Sequence, residues 1–269
     1  MSIERKRNLL RISREKARNP NFNGDFSTLG NKTKQNTIIP INNQNYSVMN
    51  ELSTDRIKTE VKSQYLGHNL YPDYIGKFSG ETFIVAGCGS SLNLYSDFSK
   101  YYVIGVNDIE RKLTPDFLVV VNDNRTFMRG RWEYVQNSLS PVIFSHLDDP
   151  GPIVRSSHLV KVKVGERNNP RLDQFQFVDH TMNSPYMAVI IAYQLGAKKI
   201  GMVGVDFTSD HFFSKTGTHK LAKHVVNIDN EYMQLRRELE KKGVKVANLS
   251  PISQLEAWPK MNLEAFDLL

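Results

Sequence analysis

Thr82-Phe83-Ile84-Val85-Ala86-Gly87-Cys88-Gly89-Ser90-Ser91-Leu92 is the stretch on which the fold of this chain turns. An apolar run with no polar alternation suits a strand buried on both faces, as in a parallel sheet. The small residues after it make a tight Gly-x-Gly-Ser-Ser turn. Such a turn lets backbone N–H groups approach a phosphate, and a following helix N-terminus adds a favourable dipole. Gly87, Gly89, Ser90 and Ser91 are therefore candidate phosphate-binding residues, the two hydroxyls donating to the same oxygens. Enlarging Gly89 is expected to close the turn to phosphate while leaving the fold intact. No third glycine and no Gly-Lys-Ser/Thr follow, so the turn is neither a dinucleotide fingerprint nor a Walker A loop. A tight connection without any ligand is the alternative.

Working outward, similar apolar runs recur at Tyr102–Val106, Phe117–Val121, Val142–Ser145, Leu159–Val164, Lys199–Val205 and Val244–Asn248. Helical patterns separate them, clearest at Pro185–Leu195 and Asn227–Lys242. The first opens on Asn183-Ser184-Pro185, a capping residue with proline close behind, and closes at Gly196. The second ends Lys241-Lys242-Gly243, cations and a glycine at the negative end of the helix dipole. Strand and helix alternate, which predicts an α/β fold with a doubly wound, mostly parallel sheet.

The chain of 269 residues is long enough for one such domain and an extension. Its composition, 40% hydrophobic and 23% charged, excludes global disorder. One cysteine, Cys88, excludes an internal disulfide and argues against a cysteine-based metal site. No apolar stretch reaches the ~20 residues of a membrane helix, and no apolar segment follows the N-terminus as in a secretory signal, so a cytoplasmic location is expected.

The formal charge of +7 is uneven. Residues 1–40 hold nine Lys/Arg (Arg5, Lys6, Arg7, Arg11, Arg14, Lys16, Arg18, Lys32, Lys34) against Glu4, Glu15 and Asp25, a surplus of +6 that leaves +1 for the rest. A basic arm suits a nucleic acid or an anionic membrane surface, and a solvated tail is the plain alternative. Short helices are predicted at 4–18 and 51–66. The chain divides into a basic, Asn-rich N-terminal extension, 1–60, and a catalytic domain, 61–269.

Further candidates stand at strand ends, where ligands sit in open parallel sheets. Asn107 follows the second strand and can bond a ribose, base or sugar hydroxyl, or cap a helix. Asp123, in Asn122-Asp123-Asn124-Arg125, is one carboxylate where a metal clamp would need more; it reads as a substrate contact or turn former. The segment Thr208–Lys223 is irregular and carries His211 and His219, with His224 at its edge and Gly217 as a hinge. The histidine spacing matches no helical metal-ligand pair, whereas imidazole suits a general base near neutral pH.

Taken in order, these segments resemble the bacterial sialyltransferases of glycosyltransferase family 42. They are also similar, more distantly, to Rossmann-like proteins that include archaeal hydroxymethylpterin diphosphokinases and flagellin-glycosylation proteins. The resemblance runs from about Thr82 to Pro259. It is carried by Ala86-Gly87-Cys88-Gly89-Ser90-Ser91-Leu92, by Asn107, and by Asn183-Ser184-Pro185 continuing to Gly204-Val205-Asp206-Phe207. The last carrier is His224-Val225-Val226-Asn227-Ile228-Asp229, with the later Ser250-Pro251-Ile252-Ser253. Cys88 and Ser90 stand where the family has asparagine and proline.

The resemblance implies a Rossmann-like enzyme that moves a sugar from a nucleotide-sugar donor to an acceptor hydroxyl, with inversion and without a metal or other cofactor. Gly87, Gly89, Ser90, Ser91, Asn107, Asn183 and Ser184 would hold the donor and His224 would be the base. The acceptor would be a glycan or, through residues 1–40, a nucleic acid of the kind a phage enzyme modifies. A pterin-type diphosphotransferase and a non-catalytic nucleic-acid-binding protein are the other readings.

Overall fold

The computed structural model describes residues 71–127, 130–147, 158–217 and 220–269. The basic residues 1–40, the helices expected at 4–18 and 51–66, and the boundary at 60/61 lie outside the described residues.

Seven strands form the central sheet: β1 (Thr82–Ala86), β2 (Tyr102–Val106), β3 (Phe117–Val119), β4 (Val142–Ser145), β5 (His158–Lys161), β8 (Lys199–Val203) and β9 (Lys245–Asn248). Their order is β5-β4-β3-β2-β1-β8-β9, and every neighbouring pair is parallel. β6 (Lys163–Arg167) and β7 (Phe177–His180) make a second, two-stranded parallel sheet. Chain order runs outward from β1 through β2 to β5 on one side and resumes with β8 on the other. The direction of winding therefore switches between β1 and β8, the position where ligands enter such sheets.

The alternation of β1 shows why an uninterrupted apolar run was needed. Phe83 and Val85 face one core, with Ile104, Val119, Phe144 and Met202; Ile84 and Ala86 face a second, with Val103, Leu118, Ile143 and Val203. Successive side chains point to opposite faces, so a sheet covered on both sides must be apolar at every position. Rings pack the first core: Phe83 stacks on Tyr102 at 5.4 Å, Phe117 on Phe144 at 5.9 Å, and Phe78 meets Phe117 edge-on at 5.2 Å.

Among the described residues, four α-helices flank the sheet: α1 (Arg131–Gln136), α2 (Ser184–Gln194), α3 (Val225–Lys241) and α4 (Leu263–Leu268). Every residue of α2 except Tyr193 is buried, so its sequence carries no polar face and its start and stop signals are what mark it. α3 is amphipathic, burying Ile228, Glu231, Tyr232, Leu235 and Leu239 at helical spacing. No helix among the described residues is long and apolar enough to cross a membrane.

Three expectations change. The run Leu159–Val164 is two strands in different sheets: Val162 N still bonds Ser145 O at 2.9 Å, and the chain then leaves to form β6. The run expected to reach Val205 stops at Val203, because Gly204 turns the chain with φ +69°. β7 was not foreseen. It is held by Asp179, a buried carboxylate that accepts from Glu166 N and Arg171 N, both at 2.7 Å, and from Arg171 Nη2 at 2.6 Å.

Two outcomes follow from this packing. Phe117→Ala should lower stability by ~3–5 kcal/mol in urea unfolding, while Leu94→Ala, at a 60% exposed position, should stay within ~0.5 kcal/mol. Burial alone would raise the Asp179 carboxyl, but hydrogen bonds from the Arg171 side chain and from both amides outweigh it and hold the group below the usual carboxylate range. A depressed native value adds stability above the unfolded value of about 3.9, and that stability is lost as pH falls through the native value. Asp179→Asn should therefore flatten the loss of stability below about pH 4, read from denaturation midpoints across pH.

Candidate functional site

The β1 turn does not stand alone; it is bonded to the turn after β8. Gly87 N donates to Val203 O at 2.8 Å and Gly89 N to Gly204 O at 2.7 Å. Ser91 donates twice to the buried Asp206, from its amide at 2.8 Å and from its hydroxyl at 2.5 Å. Ser250 Oγ lies 2.7 Å from Ser91 Oγ, and Gly204 N reaches both hydroxyls at 3.0 Å. This contact needs absent side chains: a Cβ on Gly87 would collide with the Gly204 carbonyl, and one on Gly89 would stand 2.5 Å from Asp206 Oδ2. Enlarging Gly89 thus strains the brace itself, which the expectation of an intact fold did not foresee. Ser250 and Ser253, carried by the resemblance, serve the same contact; Ser253 Oγ donates to Val205 O at 2.7 Å.

With those groups engaged, the Cys88 amide has no acceptor among the described residues, whereas the antiparallel bridge between Gly89 and His211 brings the Ser90 amide to the Asp210 carbonyl. The Cys88 thiol is buried, 3.5 Å from Val106 O and 3.6 Å from Asp108 Oδ1. Burial first, then the Asp108 charge, push it well up, so it stays protonated and is a poor nucleophile.

Beside the turn, the ends of β2 and β3 and the start of α2 converge. Asn107, just past β2, adopts φ +54°, a left-handed conformation that asparagine tolerates. Asn122 Nδ2 donates to Asn107 Oδ1 at 3.2 Å and to Ser184 Oγ, on the first residue of α2, at 3.3 Å. Asn183 caps α2, its Oδ1 accepting from Tyr186 N at 3.1 Å and from Tyr232 Oη at 2.8 Å. Asn122 was passed over in favour of Asp123. Its position directly after the third run was the available signal. Asp123 instead caps its own turn, accepting from Arg125 N at 2.9 Å and Nε at 2.8 Å, and these bonds hold its carboxyl at about 2.

The loop after β8 lies across the β1 turn. Phe212 N donates to Cys88 O at 3.0 Å, Asn93 Nδ2 donates to Phe212 O at 2.8 Å, and Arg111 Cζ sits 3.7 Å from the Phe213 ring centre. His211 belongs to this loop, its Nδ1 2.6 Å from Thr216 Oγ1. His219 lies outside the described residues. His224 ends a short turn and occupies the N-cap of α3, half-buried, with its amide on Leu221 O at 2.8 Å. No hydrogen bond joins it to Asn107, Asn122 or Ser184 among the described residues. Asp229, from the same motif, accepts from Glu256 N and Ala257 N at 2.8 Å and ties the C-terminal segment to α3.

Among the described residues, the buried side-chain atoms Thr181 Oγ1, Asn183 Nδ2, Tyr186 Oη, Thr208 Oγ1 and Glu231 Oε2 have no hydrogen-bond partner. Each such atom costs ~1–3 kcal/mol when nothing binds it. Among the described residues no three His, Cys, Asp or Glu side chains are placed to share a metal ion.

The chain matches no protein-family model and no curated protein. Among solved structures it is similar to the sialyltransferase CstII from Campylobacter jejuni in complex with the substrate analogue CMP-3FNeuAc, with a TM-score of 0.42 and 17% identity over 67% of this chain and 86% of that one. It is also similar to CstII in complex with a trisaccharide acceptor and CMP, at a TM-score of 0.41 and 18% identity over the same shares. A third is the MAf glycosyltransferase from Magnetospirillum magneticum AMB-1, with a TM-score of 0.47 and 11% identity over 74% of this chain and 38% of that one. Similarity at this level transfers neither an activity nor a ligand.

If the two turns are held together by Ser91 and Asp206, removing either partner should have coupled effects. In a double-mutant cycle of Ser91→Ala and Asp206→Asn, urea unfolding should give a coupling of roughly 0.5–3 kcal/mol. Additive losses would mean that the turns are joined by something else.

Proposed function

We propose that this protein transfers a glycosyl group from a nucleotide-sugar donor to an acceptor hydroxyl. One observation carries the reading: Asn107 and Asn122, past the ends of β2 and β3, and Ser184, at the start of α2, meet through hydrogen bonds of 3.2–3.3 Å on the side of the sheet where parallel α/β folds take ligands. The three side chains are neutral and offer both donors and acceptors, which suits hydroxyls and amides of a nucleotide. The order of segments shared with the family 42 sialyltransferases supports the reaction class.

In this proposal the Cys88 amide and the Ser90 hydroxyl take the donor phosphate. Gly87, Gly89 and Ser91 keep the turn in place, and Asn183 holds α2 so that Ser184 faces the donor. Asn107 and Asn122 orient the nucleotide or sugar. His224 removes the acceptor proton as the acceptor oxygen bonds the anomeric carbon. The bond to phosphate breaks with its electron pair leaving on the nucleotide, which inverts the anomeric centre.

Calorimetry with nucleotide sugars tests the donor site. Asn107→Ala and Ser184→Ala should each weaken binding about three- to tenfold, the effect of one neutral hydrogen bond. Failure of the wild-type protein to bind any nucleotide or nucleotide sugar would remove the reading.

His224→Ala should lower nucleotide release in the presence of a glycan acceptor by ~10²–10⁴-fold while leaving donor affinity unchanged. A loss that appears instead at His211→Ala would place the base elsewhere on the loop.

A further inference from the structure

Arg111 closes the short turn after β2, Ile109–Arg111, and its guanidinium is held in place without being used. Its Cζ lies 3.7 Å from the Phe213 ring centre and 4.8 Å from that of Tyr134, so rings from the loop after β8 and from α1 fix its position. Stacking engages the face of the cation and leaves the N–H groups on its edge. Among the described residues those N–H groups make no hydrogen bond, and the buried Asp108 comes no closer than 3.8 Å, from Oδ2 to Nη1.

Asp108 is already taken. That carboxylate is 0% exposed and is gripped at both oxygens by Arg131, Nε donating to Oδ2 at 2.9 Å and Nη2 to Oδ1 at 2.5 Å. Glu110 is turned elsewhere, accepting from the amides of Leu139 at 2.8 Å and Ser140 at 2.9 Å. Two guanidiniums thus share one carboxylate and leave a positive charge over. The Arg111 side chain is 24% exposed, so a ligand can reach it from solvent. The place adjoins the β1 turn: Phe212, next to Phe213, donates its amide to Cys88 O, and Asp108 Oδ1 stands 3.6 Å from Cys88 Sγ.

We propose that Arg111 forms a second anion subsite beside the β1 turn, taking one phosphate or carboxylate group as a bidentate pair. A planar fork matches two oxygens of such a group, and a stacked side chain gives up little freedom when the ligand arrives. A neutral hydroxyl would meet only one of the donors and leave the charge unanswered. The anion is the second phosphate of a nucleoside diphosphate or a carboxylate on the acceptor; the recognising chemistry is the same. The subsite does not require the transferred group to be a sugar, so it goes beyond the glycosyl-transfer reading.

Paired ligands on the full chain test it: calorimetry with CMP against CDP, UMP against UDP and GMP against GDP, and NMR titration with methyl glucuronide against methyl glucoside. The wild-type protein should bind the more anionic member of at least one pair about tenfold tighter, and less so as salt is added. A preference among the nucleotides assigns the subsite to the donor; one confined to the glucuronide assigns it to the acceptor. Arg111→Gln should remove the preference and leave the less charged member bound as before. Arg111→Lys keeps the charge but not the fork and should retain only part of the preference; it decides the matter should Arg111→Gln fail to fold by circular dichroism. A preference that neither variant changes would overturn the proposal, leaving Arg111 as a brace between the loop and α1. Nucleotide binding with no preference in any pair sinks the subsite but not the donor site. A glucuronide preference without any nucleotide binding keeps the subsite and removes the donor reading, and wild-type protein that binds none of these ligands removes both.

Discussion

The contact between Ser91 and the buried Asp206 is the constraint on which the ligand edge of this fold depends. Two strands that lie side by side at the switch point must each end in a turn, and the turns compete for the same space. Here the competition is resolved by removing side chains at Gly87, Gly89 and Gly204 and bonding what remains through one carboxylate and two serine hydroxyls. Every bond of the set is short and buried, so the edge is rigid where the winding reverses. A ligand of the proposed kind would then lie to one side, towards β2 and β3.

That shift explains the arrangement of Asn107, Asn122 and Ser184. Buried at every residue but Tyr193, α2 cannot slide or tilt without opening the first core, so the first residue of α2 is held at a fixed height above β2 and β3. The left-handed backbone at Asn107 turns its side chain back over the sheet edge rather than into the next helix. Rigidity below and small polar groups above are what a group-transfer site requires if reacting atoms are to be held within bonding reach.

Much of this was legible in the sequence, and the exceptions have physical causes. The central strands read clearly because burial on both faces forces unbroken apolar runs, as at Phe83–Ala86. β6 did not, since its residues are mostly exposed and its pattern is that of a loop. The capped ends of α2 were visible, as was the position of Asn107 at the end of β2. The internal duty of Ser91 was hidden, because its partner lies 115 residues away and an aspartate after a strand carries no mark of its contact. The burial of Glu231 on α3 was hidden, since burial of a charged group cannot be seen from spacing.

The placement of β1 between β2 and β8 also bears on how the chain leaves the ribosome. β2 follows β1 almost at once, but the partner on the other edge arrives only with Lys199–Val203. At a synthesis rate of ~5–20 residues per second, the 115 residues between Ser91 and Asp206 take roughly 6 to 23 seconds to appear. Throughout that interval one edge of this apolar strand offers unpaired N–H and C=O groups, the template on which strands of other chains can add. Such distant pairing also slows folding, because the closure of a long loop must precede the contacts that stabilise it. The yield of native protein is thus set less by the stability of the finished sheet than by how well nascent β1 is shielded until β8 is made.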